Sequence, residues 1–308
     1  MHLRSHRALV ASAAILVSVV TNSAQAQLGD SLRARLDQRI AEAPGAIVGL
    51  YYKSLGSGEV IAIAADSSFH AASTMKVPVM IEFFRQVERK GLGEQQPVLL
   101  INQFASIVDG SPFSVAPVDD SDSTMYLQVG HRVAARELVE RMIIRSSNLA
   151  TNAIIELVGA RNADSTARAL GARNIRVLRG VEDGKAFQRG LNNTTTARDL
   201  GVLLEAIEKR SAASPRSCAA MLDILSRQEF NTAIPAGLPP GTRVAHKTGS
   251  ITGVLHDAAI VYLPNTSPYV LVVLTRNIPN DRVARTLIAD LSRLVHAHVS
   301  RPARAATR

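Results

Sequence analysis

The chain has 308 residues, 46% of them hydrophobic and 20% charged, enough apolar material for one large or two modest cores, which excludes a disordered or fibrous protein. The formal net charge is +9, but the basic residues are scattered rather than clustered and argue against a nucleic-acid surface; a solvated arginine-rich exterior, or weak attraction to an anionic envelope surface, accounts for the excess. A single cysteine, Cys218, excludes an intrachain disulfide, so stability must come from packing.

In chain order, residues 1–26 read as a secretory leader: Arg4 and Arg7 precede the apolar run Ala8 to Val20, and Ala24-Gln25-Ala26 supplies a small-x-small cleavage site. A mature protein beginning near Gln27, periplasmic or secreted, is the expectation, with an uncleaved anchor as the alternative. Loss of Arg4 and Arg7 would take the net charge from +9 to +7. Leu32, Leu36 and Ile40 follow Asp30-Ser31 at helical spacing and predict a helix over about 31–42. Ala46 to Lys53 and Glu59 to Ala64 predict an antiparallel hairpin around Gly56-Ser57-Gly58. Helical patterns then cover Thr74 to Lys90, Ala134 to Arg145, Leu149 to Val158 and Thr196 to Lys209, while Ile101 to Thr124, with two prolines and several aspartates, reads as loop. Cys218 falls in a further helical run as buried filler. Arg243 to Lys247, Ala258 to Leu263 and Tyr269 to Thr275 predict strands before a final helix carrying Val283, Leu287, Ile288, Leu291, Leu294 and Val295 on one face, and a basic tail follows Ser300.

This order predicts an α/β (α+β) architecture: an antiparallel sheet flanked by terminal helices, with an inserted all-helical domain. The sheet-and-helix domain would comprise residues 27–70 plus 210–308 and the helical insert 71–209, with a binding cleft where they meet.

Ser73-Thr74-Met75-Lys76 opens the first long helical pattern and is the only Ser-x-x-Lys in the chain. Residues three apart share a helix face, so hydroxyl and amine can meet. A serine needs a base, and a lysine serves only when burial or neighbouring positive charge favours its neutral form. Among 29 arginines and six lysines, lysine at this position is informative because a guanidinium never deprotonates. Pro78 fits a helix's first turn and places Ser73 at the N-terminal end, where backbone N–H groups favour an oxyanion. A helix cap followed by a solvated lysine is the plain alternative. Two more clusters carry polar chemistry. His246-Lys247-Thr248-Gly249-Ser250 combines a cation, hydroxyls and a glycine in a β-prone stretch, and Ser146-Ser147-Asn148 sits between two helices, where a cap would also explain it.

Ser-x-x-Lys, Ser-x-Asn and Lys-Thr-Gly, in this order and spacing, resemble the class A β-lactamase and penicillin-binding protein family. The resemblance spans nearly the whole mature chain. It implies an acyl-enzyme on Ser73, activation by Lys76, proton shuttling by Ser146 and a substrate amide contact at Asn148. It further implies carboxylate recognition by Lys247 and Thr248, close approach at Gly249, and an oxyanion hole from the N–H groups of Ser73 and Ser250. The implied partner is a small-molecule β-lactam, met by a monomer; no metal or cofactor is called for. Two departures stand out. The family's Ser-Asp-Asn is here Ser146-Ser147-Asn148, which affects the rigidity of that turn more than its chemistry. The Glu-x-x-Leu-Asn of an omega-shaped loop, whose glutamate positions the deacylating water, is absent; Arg179-Gly180-Val181-Glu182-Asp183 stands in that stretch, with Leu191-Asn192 later. Glu182 is the candidate base and Asp183 the fallback, against the alternative of a loop carboxylate paired with Arg179 or Lys185. The missing pentapeptide keeps open a D-Ala-D-Ala peptidase or small-ester hydrolase of the same fold, and a non-catalytic envelope protein that binds peptidoglycan or penicillin. His70 reads as a strand-end or packing histidine, and His296-x-His298 lacks metal-ligand spacing.

Overall fold

A computed structural model describes residues 31–300; the leader, its cleavage site and the basic tail lie outside the described residues. Helix α1 (residues 31–41) leads into β1 (Ile47–Ser54) and β2 (Val60–Ile63), the expected antiparallel hairpin. Short β3 (Phe69–His70) precedes a 3-10 turn, Ala72–Met75, that runs directly into α2 (Lys76–Glu88).

The segment expected to be loop is partly ordered. After β4 (Pro97–Leu99) it folds a hairpin, β5 (Phe104–Ala105) with β6 (Pro112–Phe113), and two 3-10 turns, Pro117–Asp119 and Ser123–Gln128, before β7 (Arg132–Ala134) pairs back with β4. Packing of Phe104 on Phe113, ring centroids 5.8 Å apart, supplies the apolar contact that so short a hairpin needs. Helices α3 (Ala135–Ile144), α4 (Asn148–Val158) and α5 (Ala160–Ala169) follow. A long connection holding the one-turn α6 (Gly184–Gln188) leads to β8 (Thr194–Thr195), which pairs with β3. Then come α7 (Ala197–Glu208), α8 (Pro215–Ser226), the strands β9 (Val244–Ile251), β10 (Val254–Val261) and β11 (Tyr269–Arg276), and α9 (Asp281–Val299).

The five long strands make one antiparallel sheet ordered β2-β1-β11-β10-β9, so the two ends of the chain meet where β1 pairs β11. Alternation along β1 and β11 assigns side chains to opposite faces. Leu50, Tyr52, Leu271 and Val273 join Leu36 of α1 and Leu287, Leu291 and Val295 of α9 in one buried cluster. Tyr51, Val270, Val272 and Leu274 join Leu200, Leu203 and Leu204 of α7 in the other. Because both faces are covered, β11 reads as a continuous apolar run rather than an alternating one. Helix α2 is buried from Lys76 to Phe84 and crosses the helical layer as its central member. Strand β9 lies at the sheet edge against the 3-10 turn that precedes α2, and this junction is the floor of the cleft.

Candidate active site

Ser73 sits in the 3-10 turn, half-buried, and lines a cleft of about 350 Å³ together with Asn148, Glu182 and Ser250. The turn is held from three directions. His70 Nδ1 accepts from Ala72 N at 3.1 Å, and Ala71 N donates to Asn193 O at 2.8 Å. Beneath β3, His256 Nδ1 accepts from Thr275 N, so Nε2 carries the proton and donates to His70 O at 2.9 Å. Burial pushes the His256 imidazole down to about 4, which keeps it in this neutral form. The turn's first backbone bond is Thr74 N to Ala71 O, leaving the Ser73 N–H outside the helical ladder. A Cβ added to Gly249 would lie 2.9 Å from Ser73 N and 3.0 Å from Thr74 N, so only glycine lets β9 approach the backbone of the 3-10 turn this closely. Gly249→Ala is therefore expected to push strand and turn apart and to cost about 1–3 kcal/mol of stability, read by chemical denaturation; an unchanged midpoint would contradict the contact.

Lys76 and Lys247 are both fully buried. The Lys76 amine does not donate to Ser73, as face-sharing alone suggests. It donates to Ser146 O at 2.7 Å, Asn148 Oδ1 at 2.9 Å and Ser146 Oγ at 3.1 Å. All three hydrogens of a buried ammonium thus find acceptors, a carbonyl, an amide oxygen and a hydroxyl, without Ser73. Burial lowers the Lys76 amine to about 7, against the opposing pull of Asp120 and then Glu182. On losing its proton the amine gives up one of these bonds and gains a lone pair able to receive another. Lys247 is held well below its ordinary value by burial and then by the charge of Lys76. Its amine donates to Ser146 Oγ at 3.0 Å and to Thr248 O at 2.8 Å. Ser146 Oγ thus accepts from both lysines.

Glu182 completes the cleft wall. Its Oε1 accepts from Asn148 Nδ2 at 3.2 Å, and the same amide reaches Asp119 O at 3.3 Å. The expected alternative partners are otherwise engaged: Lys185 pairs with Asp109, and Arg179 donates to Leu191 O, Gly180 O and Asn192 Oδ1. Burial raises the Glu182 carboxyl, Asp119 adds to the effect, and Lys76 and Arg179 oppose it. Asp183, the fallback, is a structural acid: it caps α6 and binds Ser106 Oγ at 2.9 Å and Ile107 N at 3.0 Å, tying the β5–β6 hairpin to the Glu182 loop. Asn152, which the sequence reading missed, clamps the loop from α4. Its Nδ2 donates to Val181 O at 3.0 Å, its Oδ1 accepts from Val181 N at 2.7 Å, and a Cβ on Gly180 would lie 2.5 Å from it.

Ala72, Ser146 and Glu182 have φ of 45°, 57° and 63°, left-handed conformations that non-glycine residues rarely adopt and that gather at functional sites. Among the described residues no group of three or more acidic, histidine or cysteine side chains is placed to hold a metal. His298 instead bonds Glu59 at 3.0 Å, and Cys218 is buried.

The sequence model of the Beta-lactamase enzyme family matches residues 31–299. A β-lactamase of Amycolatopsis lactamdurans is 28% identical over 252 residues, 80% of this chain and 78% of that protein. Among solved structures, a β-lactamase of Sphaerobacter thermophilus is 28% identical with a TM-score of 0.76, covering 87% of this chain and 98% of its own. A mutant of PBP-A, solved as its acyl-enzyme with penicillin G, is 32% identical with a TM-score of 0.75, covering 88% and 96%.

Proposed function

Because the chain belongs to the Beta-lactamase enzyme family and has the fold of its serine hydrolases, we propose that it opens the β-lactam ring through an acyl-enzyme on Ser73. The observation that carries this reading is the fully buried amine of Lys76, bonded at 3.1 Å to a Ser146 hydroxyl that Lys247 also holds at 3.0 Å. Neutral Lys76 takes the proton of the Ser73 hydroxyl as Oγ bonds to the lactam carbonyl carbon. The developing oxyanion is met by the N–H groups of Ser73 and Ser250, and the substrate carboxylate by Lys247 and Thr248. The proton then passes from Lys76 through Ser146 to the ring nitrogen as the C–N bond breaks. Water, losing its proton to Glu182, attacks the ester carbonyl; as the ester C–O bond breaks, Ser73 Oγ leaves and the proton held by Glu182 is passed back to it, so that serine and glutamate return to their starting states. No step calls for a metal.

An intact-mass time course with benzylpenicillin, read together with penicilloate formation, separates the two halves of this cycle: an adduct on Ser73 that forms and decays is expected, and neither adduct nor product rejects the proposal. A persistent adduct would instead indicate a penicillin-binding protein. Turnover of a p-nitrophenyl ester but not of nitrocefin would move the same acyl chemistry to a different substrate.

The pH dependence is signed. Acylation needs the deprotonated amine, so its rate is expected to climb tenfold per unit below about pH 7 and to level off above it. Quenched-flow mass spectrometry across the range checks this; a rate independent of pH would remove Lys76 as the base. The leader-like residues 1–26 further support a periplasmic or secreted location for the mature chain.

A further inference from the structure

Asp120 is a buried carboxylate in the segment between β6 and β7, 8% exposed and with no ion-pair partner among the described residues. Such a charge is costly unless hydrogen bonds satisfy it. Four do, from four residues: Oδ2 accepts from Leu149 N at 2.8 Å, Tyr126 Oη at 3.1 Å and Ser147 Oγ at 3.2 Å, and Oδ1 accepts from Asp122 N at 3.0 Å. Two of these donors belong to the turn and first residues of α4, which present Ser146 and Asn148 to the Lys76 amine. Asp122 in turn is anchored on α3 by Arg141 and Arg145 at 3.0 and 3.2 Å. A continuous path therefore runs from two arginines at the C-terminal end of α3, Arg141 within it and Arg145 just after it, through a loop backbone and a carboxylate to the turn that holds the amine. The turn needs such a hold, since Ser146 stands at φ 57°.

We propose that Asp120 is a positioning residue of the active site: its carboxylate, delivered from a loop 26 residues upstream of Ser146, fixes the Ser146–Asn148 turn against Lys76. The inference rests on the acyl-enzyme reading above for its kinetic consequence, but not for its geometric one. The charged groups facing Lys76 are Lys247 from β9, Glu182 from the loop before α6, and Asp120 itself. Asp120 favours the protonated amine, so removing its charge moves the Lys76 titration downward.

The test compares Asp120→Asn with the exchange variant Asp120→Ser/Ser147→Asp, which carries a carboxylate across the 3.2 Å contact. Two readouts are taken on the full chain: Ser73 acylation by benzylpenicillin, and the titration of Lys76 by 13Cε-lysine NMR, tractable with six lysines. Asp120→Asn is expected to slow acylation about tenfold and to lower the Lys76 midpoint by about half a unit. The exchange variant is expected to recover both. A residue that serves stability alone would lower the melting temperature and leave the midpoint of the folded protein in place, and that result overturns the proposal. If Asp120→Asn does not fold, the exchange variant decides: a wild-type midpoint supports the proposal and a lowered one rejects it. If benzylpenicillin acylates neither wild type nor variant, the β-lactam reading fails, while the lysine titration still reports on Asp120.

Discussion

Ser73→Ala is expected to form no adduct with benzylpenicillin and to lose turnover by about 10⁵-fold or more, since removing a covalent nucleophile removes the whole pathway rather than one stabilising contact. The fold is expected to survive. The bonds that hold the 3-10 turn run through backbone groups of Ala71 and Ala72, the side chain of Thr74, and His70, none of which uses the Ser73 hydroxyl. The change removes one oxygen at a half-buried position, so stability should stay within about 0.5 kcal/mol of wild type by denaturant titration. Loss of adduct with stability retained identifies the nucleophile. An adduct that persists in the alanine variant would place the acylation on another side chain and end the proposed mechanism at its first step.

Glu182→Gln is expected to separate the two halves of the cycle. Glutamine keeps the shape of the side chain and an oxygen able to accept from Asn148 Nδ2, so the cleft wall and the acylating machinery remain in place. It cannot accept a proton from water. Acylation should therefore stay within about threefold of wild type while hydrolysis of the ester slows by roughly 10²–10⁴, the usual contribution of a general base. The penicilloyl adduct would accumulate in intact-mass spectra and outlast the substrate. Unchanged steady-state turnover would show that a different group activates the water. The raised pKa of Glu182 adds a corollary: hydrolysis of the adduct in the wild type should fall on acidification above the ordinary carboxylate range, because the base is lost once its carboxyl is protonated.

Much of this architecture is legible in the sequence because its signals are local. Helical spacing announces α2, α3, α4, α7 and α9 to within a few residues, and the β-prone runs at the two ends mark all five strands of the sheet. Helix α5 escapes because its sequence is polar, with only Ala163, Thr166 and Ala167 buried. The Ile101 to Thr124 segment reads as loop because its prolines and aspartates speak for turns; its hairpin is stabilised by Asp183, more than 70 residues away.

By itself, the sequence offered the candidate groups: a serine and a lysine three apart at the head of an apolar helix, a lysine and a glycine two apart in a β-prone stretch, and a loop glutamate with Arg179 and Lys185 as possible neighbours. It also determined the elements that bear them, since periodicity is a property of neighbours along the chain. Tertiary structure decided what each group faces. Only through space does Lys76 meet Ser146 and Asn148 instead of Ser73, does one hydroxyl come to lie between two amines, and do Asp120 and Asn152 take hold of turns some 30 residues away. The amine's depressed basicity arises from burial, which depends on every element packed around α2, and so it has no counterpart in any stretch of sequence.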